Sequence, residues 1–447
     1  MKKTLLCMVA MLGTGMFAQE HFSGINTSKR TGLLNANLNP AELVNLKNTV
    51  EINLYNFSAN IANNKITFAD LTRNDDDFNA MLFSGGEPVN LRADIDMLGP
   101  AFGFKVNKWA FAVSSSAKIK VNMVDVDVDL GNSLSVSGEN AILGTTNINT
   151  SFNQRASATT WGEIGISVAR ELYNDKINKI SVGATFNLLF PGSYVNMAAD
   201  KFHGDVTYID GDKELTNAHA NLNFAYSGSL ANDFTEAENF TDFFAGGLNG
   251  YSTDIGINYQ WLKPDTGTYK INAGASVKNL GSMTFSDDNN VSNNYTLDIS
   301  GTQSLNLNQF EEVTSVREVE DILLQSGYAT LQQSNKDFKV KLPAMLAVYA
   351  DVKMIGNLYV TGYIQQKLKK DDVNNQVALQ NITTIIPRYS AKWLEVYVPV
   401  SFNEIAGFTT GFGLRLGGFF IGSGSALSAA ISNTNQADAY FGFRFGF

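Results

Sequence analysis

The sequence predicts an all-β protein, a transmembrane antiparallel β-barrel, and three observations carry that reading. Apolar residues recur at every second position in segment after segment. The chain ends on a strand with four phenylalanines on one face. Beyond the N-terminus no run of about eighteen apolar residues occurs, so helices cannot do the crossing. A chain that crosses lipid without helices must close its sheet, because every backbone N–H and C=O in the hydrocarbon needs a partner.

The first element is a leader. Lys2 and Lys3 give a positive start, Thr4 to Phe17 are mostly apolar, and Ala18 offers a small residue before Gln19. This is the layout of a cleaved signal peptide over residues 1–18. Cys7 follows Leu6 rather than a small residue, so lipidation is not expected. The mature chain then has no cysteine, which excludes disulfides and thiolate chemistry. Of 447 residues, 429 remain once the first 18 are removed, enough for two or three soluble domains. No Pro/Gly/Ser-rich spacer divides them, and the whole chain has only 8 prolines, which favours one closed sheet over residues 47–447.

The alternation is clearest in five segments. Ile180, Val182, Ala184, Phe186 and Leu188 alternate with Ser181, Gly183, Thr185 and Asn187; Ile255, Ile257, Tyr259 and Trp261 with Gly256, Asn258 and Gln260. The same period runs through 269–278, 394–402 and 408–417. Less regular copies lie near Val50–Leu54, Phe102–Val106, Ile164–Val168, Leu222–Tyr226 and Ala344–Val352. Apolar residues should face lipid, and small or polar residues the lumen. Soluble sandwiches also alternate, but 30 Phe and 16 Tyr, many at strand ends, suit interfacial girdles better. At the C-terminus Phe441, Phe443, Phe445 and Phe447 share one face and Gly442, Arg444 and Gly446 the other. Phe443, Phe445 and Phe447 form an end similar to the assembly signal of outer-membrane barrels, which makes the barrel-assembly machinery and outer-membrane lipid expected partners.

Other segments break the pattern. Asn308 to Gly327 reads as a helix with Gly327 as its C-cap, either folded over the mouth or, the preferred reading, a solvated surface helix. A second short helix is expected within Phe234–Leu248. Polar tracts at Asn74–Asp77, Asp287–Asn294 and Lys369–Asn375 read as loops. Residues 19–46 lack alternation and precede the first strand, so they lie in the lumen or stay in the periplasm.

Lys+Arg number 33 and Asp+Glu 43, a formal charge of −10 that becomes −12 once Lys2 and Lys3 leave; nucleic acid is not an expected partner. His21, His203 and His219 show no metal-ligand spacing, and no nucleophile elbow occurs, so neither a metal, a cofactor nor an enzymatic activity is expected. Asp125, Asp127 and Asp129 imitate a calcium loop, but Leu130 and Val136 stand where Gly and Glu belong; a strand with a charged face fits better. Gly411-Phe412-Gly413 with Gly417 has the wrong spacing for a dinucleotide fingerprint and reads as lumen glycines.

Leu38-Asn39-Pro40-Ala41 ahead of the first strand resembles the FadL-type fatty-acid porin superfamily. With Val277-Lys278-Asn279-Leu280-Gly281, Pro387-Arg388-Tyr389, Gly411 to Gly417 and Tyr440 to Phe445, the mature chain resembles its Bacteroidota branch grouped as DUF5723. The resemblance implies a barrel of about fourteen strands with an N-terminal hatch over residues 19–46, in which Asn39, Pro40 and Ala41 would sit. It also implies a Gram-negative outer membrane and passive passage of a hydrophobic small molecule beside the hatch, from an apolar pocket. The alternative is a non-transporting scaffold, with a plugged lumen and a stable protein partner in a secretion, gliding or surface-protein assembly.

Overall fold

The computed structural model describes residues 21–71, 78–135, 144–209, 212–264, 268–431 and 433–447. The expected signal peptide at 1–18, the start of the hatch, the Asn74–Asp77 tract and Val136 lie outside the described residues, save that Asn74–Asp77 is followed directly by Phe78. Fourteen strands form one closed antiparallel wall: β1 Val50–Asn63, β2 Val89–Val106, β3 Trp109–Val126, β4 Asn153–Asn174, β5 Asn178–Ile209, β6 Gly250–Leu262 and β7 Tyr269–Phe285. They continue as β8 Met345–Lys353, β9 Leu358–Lys367, β10 Ile382–Ser390, β11 (Leu394–Tyr397 with Val400–Asn403), β12 (Gly407–Thr410 with Phe412–Leu416), β13 Phe419–Ser423 and β14 Gln436–Gly446. β14 pairs with β1 through Phe441↔Phe57 and Tyr440↔Ser58, which removes both sheet edges. Pro399, which has no N–H to donate, interrupts β11.

Burial follows the alternation. Val113, Ile166, Ile255, Ile257, Ile364 and Ile385 project from the outer surface, while Ser181, Asn258, Asn272, Glu395 and Arg415 are buried on the inner one. Aromatic residues ring the apolar belt. Trp109, Trp261 and Trp393 lie at the end with short turns, and Phe186, Tyr251, Phe402 and Phe408 at the end with long loops. Arg170 sits 4.8 Å over the Trp109 ring and Lys270 4.4 Å over that of Trp261; such cation–aromatic pairs suit a headgroup region. Phe443 and Phe445 face outward, with Phe419 and Phe443 ring centres 4.8 Å apart. Among the described residues no helix is long and apolar enough to cross a membrane.

The wall is not of even height. β5 runs for 32 residues, whereas β8 has 9. The upper half of β5 pairs with Asp212–Ser227, which pairs with Val291–Ile299, which pairs with Ala329–Asn335. This raised sheet is a cap. One face is apolar, with Leu222, Phe224, Tyr295, Leu297 and Ile299 buried together. The helix Val316–Ser326 covers that face through Val316 and Leu323. Ser315 and Glu318 form its N-terminal cap and Gly327, at φ 77°, its C-cap. Glu320 enters the apolar layer because its carboxylate accepts from Tyr226 (2.8 Å), Tyr295 (2.6 Å) and Asn293 (2.7 Å). Burial, then the hydrogen bond to that carboxylate, pushes both phenols up.

Five expectations change. The helix of 308–327 is shorter than expected, with a 3₁₀ turn, Leu307–Phe310, before Val316; its outer side (Arg317, Glu318, Asp321, Leu324, Gln325) is exposed as expected, while its apolar side covers the cap sheet. The second helix shrinks to the 3₁₀ turn Ala237–Phe240. The tract after Asp287 becomes strand at Val291. The aspartate run leaves the strand at Val126, because Asp127 caps the helix Val128–Ser135 by accepting from Asp129 and Leu130 N–H, both at 3.0 Å. Leu222–Tyr226 is a strand, but of the cap rather than the lipid-facing wall.

Candidate functional site

The lumen is occupied by the N-terminal segment, and the polar inner face of the wall is what holds it there. Phe22, Ile25, Leu34, Leu38 and Leu43 are buried inside the barrel. A short helix, Leu33–Leu38, ends at Asn39, and a 3₁₀ turn, Pro40–Asn45, follows. Asn39 caps that turn by accepting the Ala41 N–H at 3.0 Å, and proline at its first position has no N–H to leave unsatisfied. The Asn39 amide donates to the Ile257 carbonyl (2.9 Å) and the Tyr349 hydroxyl (3.2 Å). The elbow lies this close because the wall is glycine there: a Cβ at Gly183 would strike the Pro40 backbone, and one at Gly256 the Asn39 side chain.

Glu42, 2 % exposed, is the hub of the contact. Its Oε1 accepts from Tyr349 (2.6 Å), Asn272 (2.8 Å) and Asn258 (2.9 Å), and its Oε2 from Asn45 (2.8 Å). A buried carboxylate is tolerable only with such a shell of donors. The hatch carbonyls are tied as well: Ser276 donates to Leu38 (2.8 Å), Ser181 to Ala41 (3.1 Å), and Lys278 to Asn37. Across the lumen Ser28 donates to Glu395 (2.9 Å), which also receives Arg415 (2.5 Å), and Tyr440 donates to the Ser23 carbonyl (2.5 Å).

Above the hatch lies a cavity of about 100 Å³ with two characters. Phe22, Leu34, Leu38, Trp161, Met345 and Leu379 give it an apolar side; His21, Asp96, Lys118, Lys120 and Lys278 give it a charged one. The charges are paired: Lys120 with Asp94 at 3.3 Å, Lys118 with Glu163 at 3.4 Å, Lys278 with Asp254 at 4.0 Å. Over the cavity the β9–β10 loop, residues 368–381, is folded into the mouth. Arg155 donates to the carbonyls of Asp371 (3.1 Å) and Gln376 (2.7 Å), Asn153 to that of Asp372 (2.9 Å), and Arg92 pairs with the Asp371 carboxylate at 3.2 Å. Val377 from this loop joins Trp161, Tyr194, Phe285, Phe338 and Leu342 in an apolar cluster. The lumen is thus closed twice, from below by the hatch and from above by the loop.

The profile of a family described as "Family of unknown function (DUF5723)" matches residues 40–424. The chain belongs to that family. None of the curated proteins matches it in sequence. Among solved structures, this DUF5723 chain is similar to the Ralstonia pickettii toluene transporter TbuX, at 11% identity and TM-score 0.42, covering 97% of this chain and 96% of that one. It is similar to the Pseudomonas putida toluene transporter TodX at 10% and 0.38, covering 97% and 100%. A Pseudomonas aeruginosa FadL homologue matches at 10% and 0.31, covering 96% and 99%.

Asn39, Pro40 and Ala41 come together at the hatch elbow. Phe443, Phe445 and Phe447 do not approach the lumen and stand exposed on the outside. Glu42, Tyr349, Asn258 and Asn272 were not singled out from sequence. One signal was present: Glu42 is the only acidic residue between His21 and Thr49.

Proposed function

We propose that this protein is an outer-membrane channel, exported through its 1–18 leader, that passes a hydrophobic small molecule bearing a polar head. The observation that supports the reading is the two-sided cavity directly above the hatch, apolar on one wall and charged on the other. At about 100 Å³ it is smaller than the several hundred Å³ of a typical ligand pocket. Passage therefore requires the hatch, the mouth loop or both to move, and both are held only by non-covalent contacts. Asn39, Pro40 and Ala41 are the pivot in this reading, and the outward Phe443, Phe445 and Phe447 serve barrel assembly.

The test is mass spectrometry of protein gently extracted from its native membrane, with uptake of a labelled long-chain carboxylic acid into proteoliposomes. A stoichiometric hydrophobic ligand, and uptake that rises in Glu42→Ala, are expected. Uptake equal to that of empty vesicles for both proteins would overturn the channel reading.

A second reading, a scaffold, is favoured by the cap, whose apolar core stands outside the pore where conduction does not need it. A stoichiometric protein partner in the same extract, with no ligand, is its expected result.

A further inference from the structure

The raised cap sheet carries the only two histidines outside the N-terminal segment, and it sets them opposite each other. His203 on β5 pairs in register with His219 on Asp212–Ser227, and the pair is isolated by irregular register on both sides. Their ring centres are 5.5 Å apart with planes at 32°. Lys201 (φ 52°) and Asn217 (φ 48°), each two residues before its histidine, hold left-handed conformations that non-glycine residues adopt rarely. Bulges of this kind re-aim side chains and are over-represented next to functional sites. Both imidazoles are exposed, so neither was placed there by packing.

We propose that His203 and His219 form a bidentate site for a late first-row divalent cation, of which zinc is the probe used below. Imidazole is a preferred ligand for such ions, each nitrogen standing about 2 Å from the metal. Two rings sharing one ion at that distance have centres roughly 5 Å apart, close to the 5.5 Å between His203 and His219. The neighbouring strands place Asn149 beside His203 and Asp298 beside His219, both exposed. Asp205 is already engaged by the amides of Asn147 (2.8 Å) and Asn217 (2.9 Å). Among the described residues no three His, Cys, Asp or Glu groups stand close enough to form a full ligand set. Water therefore completes the sphere, and the ion remains exchangeable on the cap surface.

The experiment is isothermal titration of untagged full-length protein in detergent with Zn²⁺. One equivalent is expected to bind, and His203→Ala and His219→Ala are each expected to weaken it by roughly tenfold or more. Both side chains lie on the surface, so the barrel's heat-modifiable gel mobility should not change. Absence of a one-equivalent site in the unmutated protein would overturn the proposal. So would a site that survives either substitution undiminished.

Discussion

Hatch and cap are both segments laid against the same wall, and they are held by opposite physics. The hatch lies against an inner face made polar by the alternation, so its cohesion is hydrogen bonding: Glu42, Asn39 and Ser28 each meet wall side chains at 2.6–3.2 Å. The cap grows from strands that have risen past the lipid belt. Its apolar face has no lipid to meet and must bury itself, under Val316, Leu323 and Phe310. A polar contact is worth little net but costs much when half of it is removed, whereas an apolar one scales with the surface buried. The hatch is accordingly suited to release, and the cap to permanence.

The largest break in that comparison should come from the cap. Phe224→Ala removes a ring packed 6.0 Å from that of Tyr295 and is expected to cost about 3–5 kcal/mol of cap stability. Hydrogen exchange should accelerate in 212–227 and 291–299 while the wall strands stay protected. Equal acceleration throughout would mean that cap and barrel fold as one unit.

Next in size is Glu42→Ala, which strands the Tyr349 hydroxyl and the Asn272 amide, while the Asn258 amide keeps the Asn272 side chain and the Ala273 carbonyl. Each buried orphan costs about 1–3 kcal/mol, enough to free the hatch without unfolding the wall. Single-channel conductance in planar bilayers should rise. Gly183→Val should have a similar effect by a different route, since its side chain would occupy the place of the Pro40 backbone. If conductance rises only in the glutamate variant, the glycine contact does not govern the hatch.

Arg155→Ala loosens the upper closure by removing the donors to Asp371 and Gln376. Proteolysis between 368 and 381 should become faster, with little change in conductance while the hatch remains seated. A large conductance change from this variant alone would make the mouth loop the main gate.

The smallest effect concerns the β4–β5 turn. The Asn178 N–H, its side-chain amide and the Ile177 N–H hold the Asp175 carboxyl down, from 3.8 to about 2. A depressed carboxyl stabilises the turn above its unfolded value, and that contribution is lost as pH falls from about 4 through about 2. Amide exchange at Ile177 and Asn178 should quicken over that interval and stay flat above it. Uniform protection down to pH 2 would show that the strands alone hold the turn.

The wall was legible because a period of two is written directly in side-chain polarity. Ser181, Gly183, Thr185 and Asn187 face the lumen as their spacing requires. A resemblance singled out Asn39-Pro40-Ala41; the partners these residues meet on the wall were not legible. Nothing local joins Glu42 to Asn258, Asn272 and Tyr349, which lie more than 200 positions away. The cap helix was legible as a surface helix with its C-cap at Gly327, but the sheet beneath it was not: an amphipathic stripe does not say what its apolar side covers.

What the sequence determined by itself was the inner and outer face of the strands whose period of two it shows, the aromatic girdles, and the lack beyond the N-terminus of an apolar run long enough for a spanning helix. These follow from single side chains and their immediate spacing. Tertiary structure alone decided the rest: the hatch in the lumen, the mouth loop pinned by Arg155, the cap raised on one side and the two histidines set in register. Each of these depends on strand pairings between distant segments, and no short window of sequence encodes them.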